Sequence, residues 1–421
     1  MIRIDNVALY TGERVFPDGC VLVNGDKIAY AGERALCPDA ATERRIDGKG
    51  GILMPGFYNA HCHAAMVLMR GVGSDRVLMD WLHQIFPIEG KLTGDLVYHG
   101  AMLAIAEMIR RGVVAFADMY FFMDRVAEAA LGVGMRANIV RGCTDRVGVE
   151  DNANNLYRRF NDAGDGLIKV FVGLHAEYTT SPDTARFAIE TARKLGTGFH
   201  VHLSETRGEV EGCIERHGMT PPEYFDSLGA FDAHAIAAHC VHLTDLDVEL
   251  LARKNVYAVH NPASNLKLAS GIAPIARYLQ SGMTVALGTD GASSNNCLDM
   301  LSDMRLASIL QKGAFGDPTL LPAGQALTMA TRTGARALGF DDCGLLREGY
   351  QADMVLISAE DANMLPCPDV PAALVYGAQG MNVRMTMVKG RVLYQDGAYT
   401  TLDIGRVRAQ ALEAARALGV I

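Results

Sequence analysis

The sequence predicts an α/β protein: a (β/α)8 TIM-type barrel with a small β-sandwich domain formed from both termini. Three observations predict it. Short apolar segments alternate with helical stretches eight times through the middle of the chain. Both ends read as strands and tight turns, without such helices between them. The apolar segments of the middle finish in polar, metal-capable residues, as barrel strands do at their active-site mouth.

Taken in order, residues 1–56 carry strand-like runs, IRIDNVALY, CVLVNGDKIAYAG and GILMPG, punctuated by Gly, Asp and Asn. Eight candidate barrel strands follow: Pro55–His61, Val113–Met119, Met135–Arg141, Ile168–His175, Gly198–His202, Ala235–His239, Val256–His260 and Thr284–Asp290. Between them, stretches such as DLVYHGAMLAIAEMIRRG (95–112) and PDTARFAIETARKLG (182–196) have helical spacing and stop near Gly. A doubly wound open sheet is the competing architecture, but it usually carries a Gly-rich phosphate loop after its first strand, and none is present. ADMVLISA and VRMTMVKGRVLYQDGAY return to strand patterning, and VRAQALEAARALGV ends the chain as an amphipathic helix. This predicts a barrel domain over 57–343 and a sandwich from 1–56 and 344–421.

Composition narrows the function. The chain has 421 residues, 49% hydrophobic and 21% charged, with a net charge of −9. That balance, with no basic cluster, argues against a nucleic-acid partner. No run approaches the ~18 apolar residues of a membrane span. The N-terminus MIRIDNVALYTGERV has no apolar signal region. Nine cysteines without a C-x-x-C pair read as thiols of a reducing cytoplasm. A small-molecule substrate is expected, and a homo-oligomer by analogy with barrel enzymes.

The strand ends carry the chemistry. In NAHCH, His61 and His63 are two apart and face one side of a strand, so both can reach one ion. In FHVHLSE, His200 and His202 also share a face but lie ~6.6 Å apart along it. His202, nearer the strand end, is the expected ligand, with His200 one layer down. Asp290 in LGTDG adds a carboxylate. His61, His63, His202 and Asp290 would hold one divalent ion with an open position for water, zinc by default, with iron or manganese compatible. Such an ion lowers the pKa of its water to near ~7, and Asp290 could take the proton. Glu205 could carry a proton to a ring nitrogen, and His239 could orient the water. The plainer readings are a helix cap for Glu205 and core packing for His239 and His242.

PGFYNAHCH, HVHLSET, AAHCVHL, HNPASNLKLASGIAPI and LGTDGASSNN together resemble the amidohydrolase superfamily, in particular its deaminases and chlorohydrolases of aminated heterocycles. WLHQIFPIEGKLT and FADMYFF are most similar to the group acting on 5′-methylthioadenosine and S-adenosylhomocysteine. The resemblance implies hydrolytic loss of the 6-amino group of an adenine nucleoside. It also implies that Glu89 binds ribose hydroxyls, His175 the ribose or base, and Arg141 the 5′ substituent. The alternative substrate is another heterocycle, such as guanine, a pterin or an s-triazine, and a barrel used only for binding is a third possibility. Two departures stand out. Glu177 occupies the place where the family's HAPYT has proline. The second arginine expected to clamp an amino-acid carboxylate has no clear counterpart, Arg146 being the nearest candidate. The smaller nucleosides should therefore be used at least as well as S-adenosylhomocysteine. Lys169 stands near the start of the fourth strand, not at its end, so a single ion is expected, without a bridging modified lysine.

Overall fold

The computed structural model describes residues 1–145 and 152–421; Arg146 lies outside them. Strand β1 (Ile2–Tyr10) pairs antiparallel with β2 (Val15–Asn24), which pairs with β3 (Lys27–Glu33). On its other side β1 pairs parallel with β4 (Arg44–Pro55). Eight parallel strands follow, each hydrogen-bonded to the next: β5 (Phe57–Cys62), β6 (Val113–Tyr120), β7 (Arg136–Cys143), β8 (Ile168–Leu174), β9 (Phe199–Leu203), β10 (Ala235–His239), β11 (Tyr257–His260) and β12 (Thr284–Leu287). Every residue of β5 and β6 is buried, the continuous apolar run that parallel strands covered on both faces require.

Two of these strands stop earlier than the sequence suggests. β8 ends before His175 and β12 before Asp290, because the chain leaves the ladder there to turn side chains into the mouth. Between β12 and β5, single contacts join the seam. The Asp290 N–H donates to the His61 carbonyl at 3.0 Å, and the Thr289 N–H donates to Asn59 Oδ1 at 2.9 Å. Gly288 permits this approach: a Cβ there would fall 2.9 Å from the His61 backbone nitrogen and oxygen.

The C-terminal part returns to the first sheet. β13 (Met354–Ile357) pairs with β4, and β14 (Val383–Val388), β15 (Arg391–Gln395) and β16 (Ala398–Tyr399) extend from it. The expected sandwich is thus one mixed sheet of eight strands. It curls on itself, because Gly390 in the β14–β15 turn packs against Gly25 in the β2–β3 turn. Both halves of the sheet line one core, including Ile4, Val21, Ile28, Leu356, Met385 and Val392. The final helix, Ile404–Leu418, buries Val407, Ala411, Ala414 and Leu418 and packs on helix Gly94–Arg110 of the barrel. Among the described residues no helix is long and apolar enough to cross a membrane.

Candidate active site

The C-terminal mouths of β5, β9 and β12 bring the expected ligands together. His61 Nε2 lies 3.4 Å and His63 Nε2 3.1 Å from Asp290 Oδ1, and His202 Nε2 lies 3.4 Å from His63 Nε2. The opposite ring nitrogens are all engaged. His63 Nδ1 donates to the Met119 carbonyl at 2.5 Å and His202 Nδ1 to the His175 carbonyl at 2.6 Å. A carbonyl only accepts, so both rings present a free Nε2 lone pair to the centre. His61 Nδ1 is 3.1 Å from His200 Nε2; His200 sits one layer down, as expected, and braces a ligand. Asp290 Oδ2 accepts from Ser264 Oγ at 2.6 Å and Ser294 Oγ at 2.7 Å.

These residues fit a divalent metal ion. His61 Nε2 and Asp290 Oδ1 are buried without a hydrogen-bond partner, an arrangement costly in itself and resolved by a shared cation. Burial lowers the His61 pKa to about 3 and pushes His202 well down, which keeps them as neutral ligands. Burial also opposes charge on His63, but Asp290 outweighs it and raises that ring to about 9, so a cation bound there takes the place of a proton on Nε2. Burial would raise Asp290; the His61 and His63 rings, 3.4 and 3.1 Å away, overcome this and hold it well below the usual carboxylate range. Lys169 is at the far end of β8, 2.6 Å from Asp162, away from the ligands.

His239 and Glu205 stand at the rim of this centre. His239 Nε2 lies 3.8 Å from Glu205 Oε2, and His239 Nδ1 is 2.9 Å from Asn265 Oδ1. His239 also falls within ligand distance of His61 and His202, so it can touch whatever the ion holds. Glu205 Oε1 accepts from Ser270 Oγ at 3.0 Å. Burial raises the Glu205 pKa, against the opposing charge of His239. Ser204, His239, Cys240 and Asp290 all have left-handed φ angles, between 50° and 73°. Such backbone is unfavourable for non-glycine residues and gathers where geometry is imposed by function.

A cleft opens over the centre. One face of helix Leu78–Glu89 lines it with Leu78, Trp81, Leu82, Phe86 and Glu89. Glu89 Oε1 accepts from Tyr120 Oη at 2.7 Å, and burial raises its pKa. His175 lines the same cleft, its Nδ1 3.1 Å from Thr179 Oγ1; burial lowers its pKa to about 4. Of the expected substrate-binding residues, Arg141 is the one that this cleft does not include. It lines an adjoining cavity with Asp124, Asn155 and Arg159, and its guanidinium lies over Phe121, whose ring forms part of the cleft wall. The physical reason is strand alternation: Gly142 faces the cleft, so Arg141 faces away.

Sequence reasoning missed the residues that hold the functional side chains: Ser264, Ser294, Ser270, Asn265 and Tyr120. Ser264 and Asn265 lie in HNPASN, and Ser294 lies four residues after Asp290. His242, weighed as core, donates from Nε2 to the Ser270 carbonyl at 2.7 Å.

The chain is similar to known proteins in both sequence and fold. Residues 52–393 match the amidohydrolase family. The chain is 43% identical over 406 residues to a 5-methylthioadenosine/S-adenosylhomocysteine deaminase of Moorella thermoacetica, covering 94% of each. It is 42% identical over 407 residues to a 5′-deoxyadenosine deaminase of Methanosarcina mazei, covering 95% of this chain and 93% of the relative. The crystal structure of an adenosine deaminase from Xanthomonas campestris with bound zinc superposes with a TM-score of 0.95 at 32% identity, over 100% of this chain and 99% of that one.

Proposed function

Because the chain belongs to the amidohydrolase family, we propose that its cleft binds an adenine nucleoside and replaces the 6-amino group by oxygen. The protein is a metal-dependent hydrolase of C–N bonds: water is consumed, ammonia leaves, and the inosine-type base remains. The observation that carries the reading is the Glu205–His239 pair, buried beside the His61, His63, His202 and Asp290 cradle and open to the same cleft.

A divalent ion such as zinc, when bound in the cradle, supplies an acidified water. The protein's own residues do the rest. Asp290, fixed by two serine hydroxyls, would accept the proton of an attacking water. His239 orients the attacking oxygen. Glu205, whose pKa is raised by burial, hands a proton to the ring nitrogen beside the reacting carbon, which pulls electrons toward the ring as oxygen attacks. Glu89 suits a pair of vicinal ribose hydroxyls, since a carboxylate accepts from both. His175, neutral through burial, lies against the same cleft for ribose or base.

Among nucleosides, the apolar helix face and the offset position of Arg141 support adenosine, 5′-deoxyadenosine and 5′-methylthioadenosine as substrates at least equal to S-adenosylhomocysteine. The test is kcat/KM across these four, read by the ultraviolet change on deamination. A preference above about tenfold for S-adenosylhomocysteine, about 1.4 kcal/mol, would defeat the ranking. Activity on a free base such as guanine, with none on nucleosides, would defeat the substrate class. Glu205→Gln should abolish turnover while leaving the metal bound. The reading also includes a cytoplasmic location, supported by nine free cysteines, action without nucleic acid or membrane, and assembly as a homo-oligomer, which light scattering decides.

A further inference from the structure

Glu205 is placed by a turn that its neighbours alone do not stabilise. β9 ends at Leu203, and Ser204 then takes φ 51°, a left-handed conformation disfavoured for any residue with a Cβ. Both sides of this turn are braced. The Ser204 carbonyl accepts from the Val241 and His242 N–H groups at 3.0 and 2.9 Å, tying it to the segment after His239. On the other side, the Ser204 N–H donates to Glu209 Oε1 at 2.8 Å and the Glu205 N–H to Glu209 Oε2 at 2.7 Å. One carboxylate thus satisfies two consecutive backbone donors.

Glu209 is the third residue of helix Arg207–His217, capped by Thr206. In the usual capping box, a glutamate at this position bonds the cap residue's own N–H. The next helix, Pro221–Ser227, does this: Glu223 accepts from the Thr220 N–H at 2.9 Å, and its side chain is exposed. Glu209 instead reaches past the cap to the two residues before it, and it is buried, 5% exposed. A cap alone requires neither the reach nor the burial.

We infer that Glu209 is a positioning residue for the proton transfer: it fixes the Ser204–Glu205 turn and so aims the Glu205 carboxylate into the cleft. This rests on the reading of Glu205 as the proton carrier. Glu209 is outside the cleft lining and the ligand set.

The experiment compares Glu209→Gln with Glu223→Gln, the same change at the same helix position away from the cleft. Glu209→Gln keeps the volume but sets an amide N–H against a backbone N–H. Its kcat should fall at least tenfold with KM changed less than threefold and zinc content per chain retained, while Glu223→Gln leaves kcat, KM and zinc unaltered. A kcat within twofold of the parent, or a kcat loss that only follows loss of zinc, would overturn the inference. Should Glu209→Gln not fold, Glu209→Asp decides by the same limits, because its shorter side chain cannot hold both donors. Glu205→Gln separates the two readings: if it stays active, the role of Glu205 fails; if it is inactive while Glu209→Gln is active, only the positioning role fails.

Discussion

A histidine that presents Nε2 to an ion must have its other nitrogen held, since ring orientation and tautomer both depend on that second bond. Two of the proposed ligands, His63 and His202, lean on main-chain carbonyls, which side-chain substitution cannot remove. The third, His61, leans on His200. Replacing His200 by Ala should therefore weaken zinc binding by about 10–100-fold, read by competition with a chromophoric chelator; unchanged affinity would leave His200 as filler. The sequence showed why the two H-x-H pairs are unequal, because strand rise alone separates His200 from His202. It could not show that the deeper histidine touches the first pair, which depends on β5 and β9 facing each other across the barrel. Asp303 gives a second test at this scale. It accepts from Asn295 Nδ2 at 2.9 Å and from the Ala263 N–H at 3.3 Å, so it ties the loop after Asp290 to the segment carrying Ser264. Burial pushes its pKa up to about 8 despite those bonds. A folded value above the ordinary 3.8 means the folded state binds the extra proton. Its contribution is then greatest below about pH 4 and declines as pH rises to about 8. Asp303→Asn should flatten the fall of Tm across that window, and an unchanged slope would exclude the group.

At the scale of elements, helix Arg207–His217 explains the Glu177 departure. The usual proline would stiffen the loop after β8. Glu177 secures the same loop by ion pairing, accepting from Arg216 Nε at 2.9 Å and Nη2 at 2.5 Å, with His217 Nε2 at 2.8 Å. The helix thus grips two cleft loops, Ser204–Glu205 at its first turn and Glu177 at its last. The pair is asymmetric: the Glu177 side chain is 2% exposed and that of Arg216 is 46%. Removing the arginine strands a buried charge, whereas neutralising the glutamate leaves a solvated one. Arg216→Ala should cost about 2–3 kcal/mol and Glu177→Gln clearly less, measured by urea unfolding; equal costs would contradict this account. None of it was legible in the sequence, because Glu177 and Arg216 are 39 residues apart and a glutamate in a loop ordinarily reads as solvated. The barrel strands were legible because burial on both faces forces continuous apolar runs. Their C-terminal limits were less so, since residues that leave the ladder to present a side chain keep strand-like neighbours.

For the whole molecule, the question is what binds the curled sheet to the floor of the barrel, opposite the cleft. Arg136, the first residue of β7, donates through Nε to Asp353 Oδ2 at 2.7 Å and through Nη2 to Gln351 at 2.8 Å. Tyr58 of β5 donates to the same carboxylate at 2.8 Å, and the Lys389 N–H from the β14–β15 turn at 2.8 Å. Strands from both sheets therefore meet on one aspartate. The side chains of Arg136 and Asp353 are 3% and 0% exposed; burial opposes the charge on the arginine, but the Asp353 carboxylate outweighs it and raises its pKa. The two-ended construction could be read from strand patterning, but this junction could not, because its members are 217 residues apart. Arg136→Met keeps an apolar stem while leaving Asp353 charged and buried, so it should cost about 3–5 kcal/mol, seen as a lower urea midpoint. Adding Asp353→Leu removes the stranded charge, so the double variant should recover much of the loss, a coupling that two independent sites would not show. The substrate cleft is at the other end of the strands, so kcat well below the unfolding temperature should be unchanged in both variants. A cost under about 1 kcal/mol for Arg136→Met, or no recovery in the double variant, would show that apolar packing alone joins the two sheets.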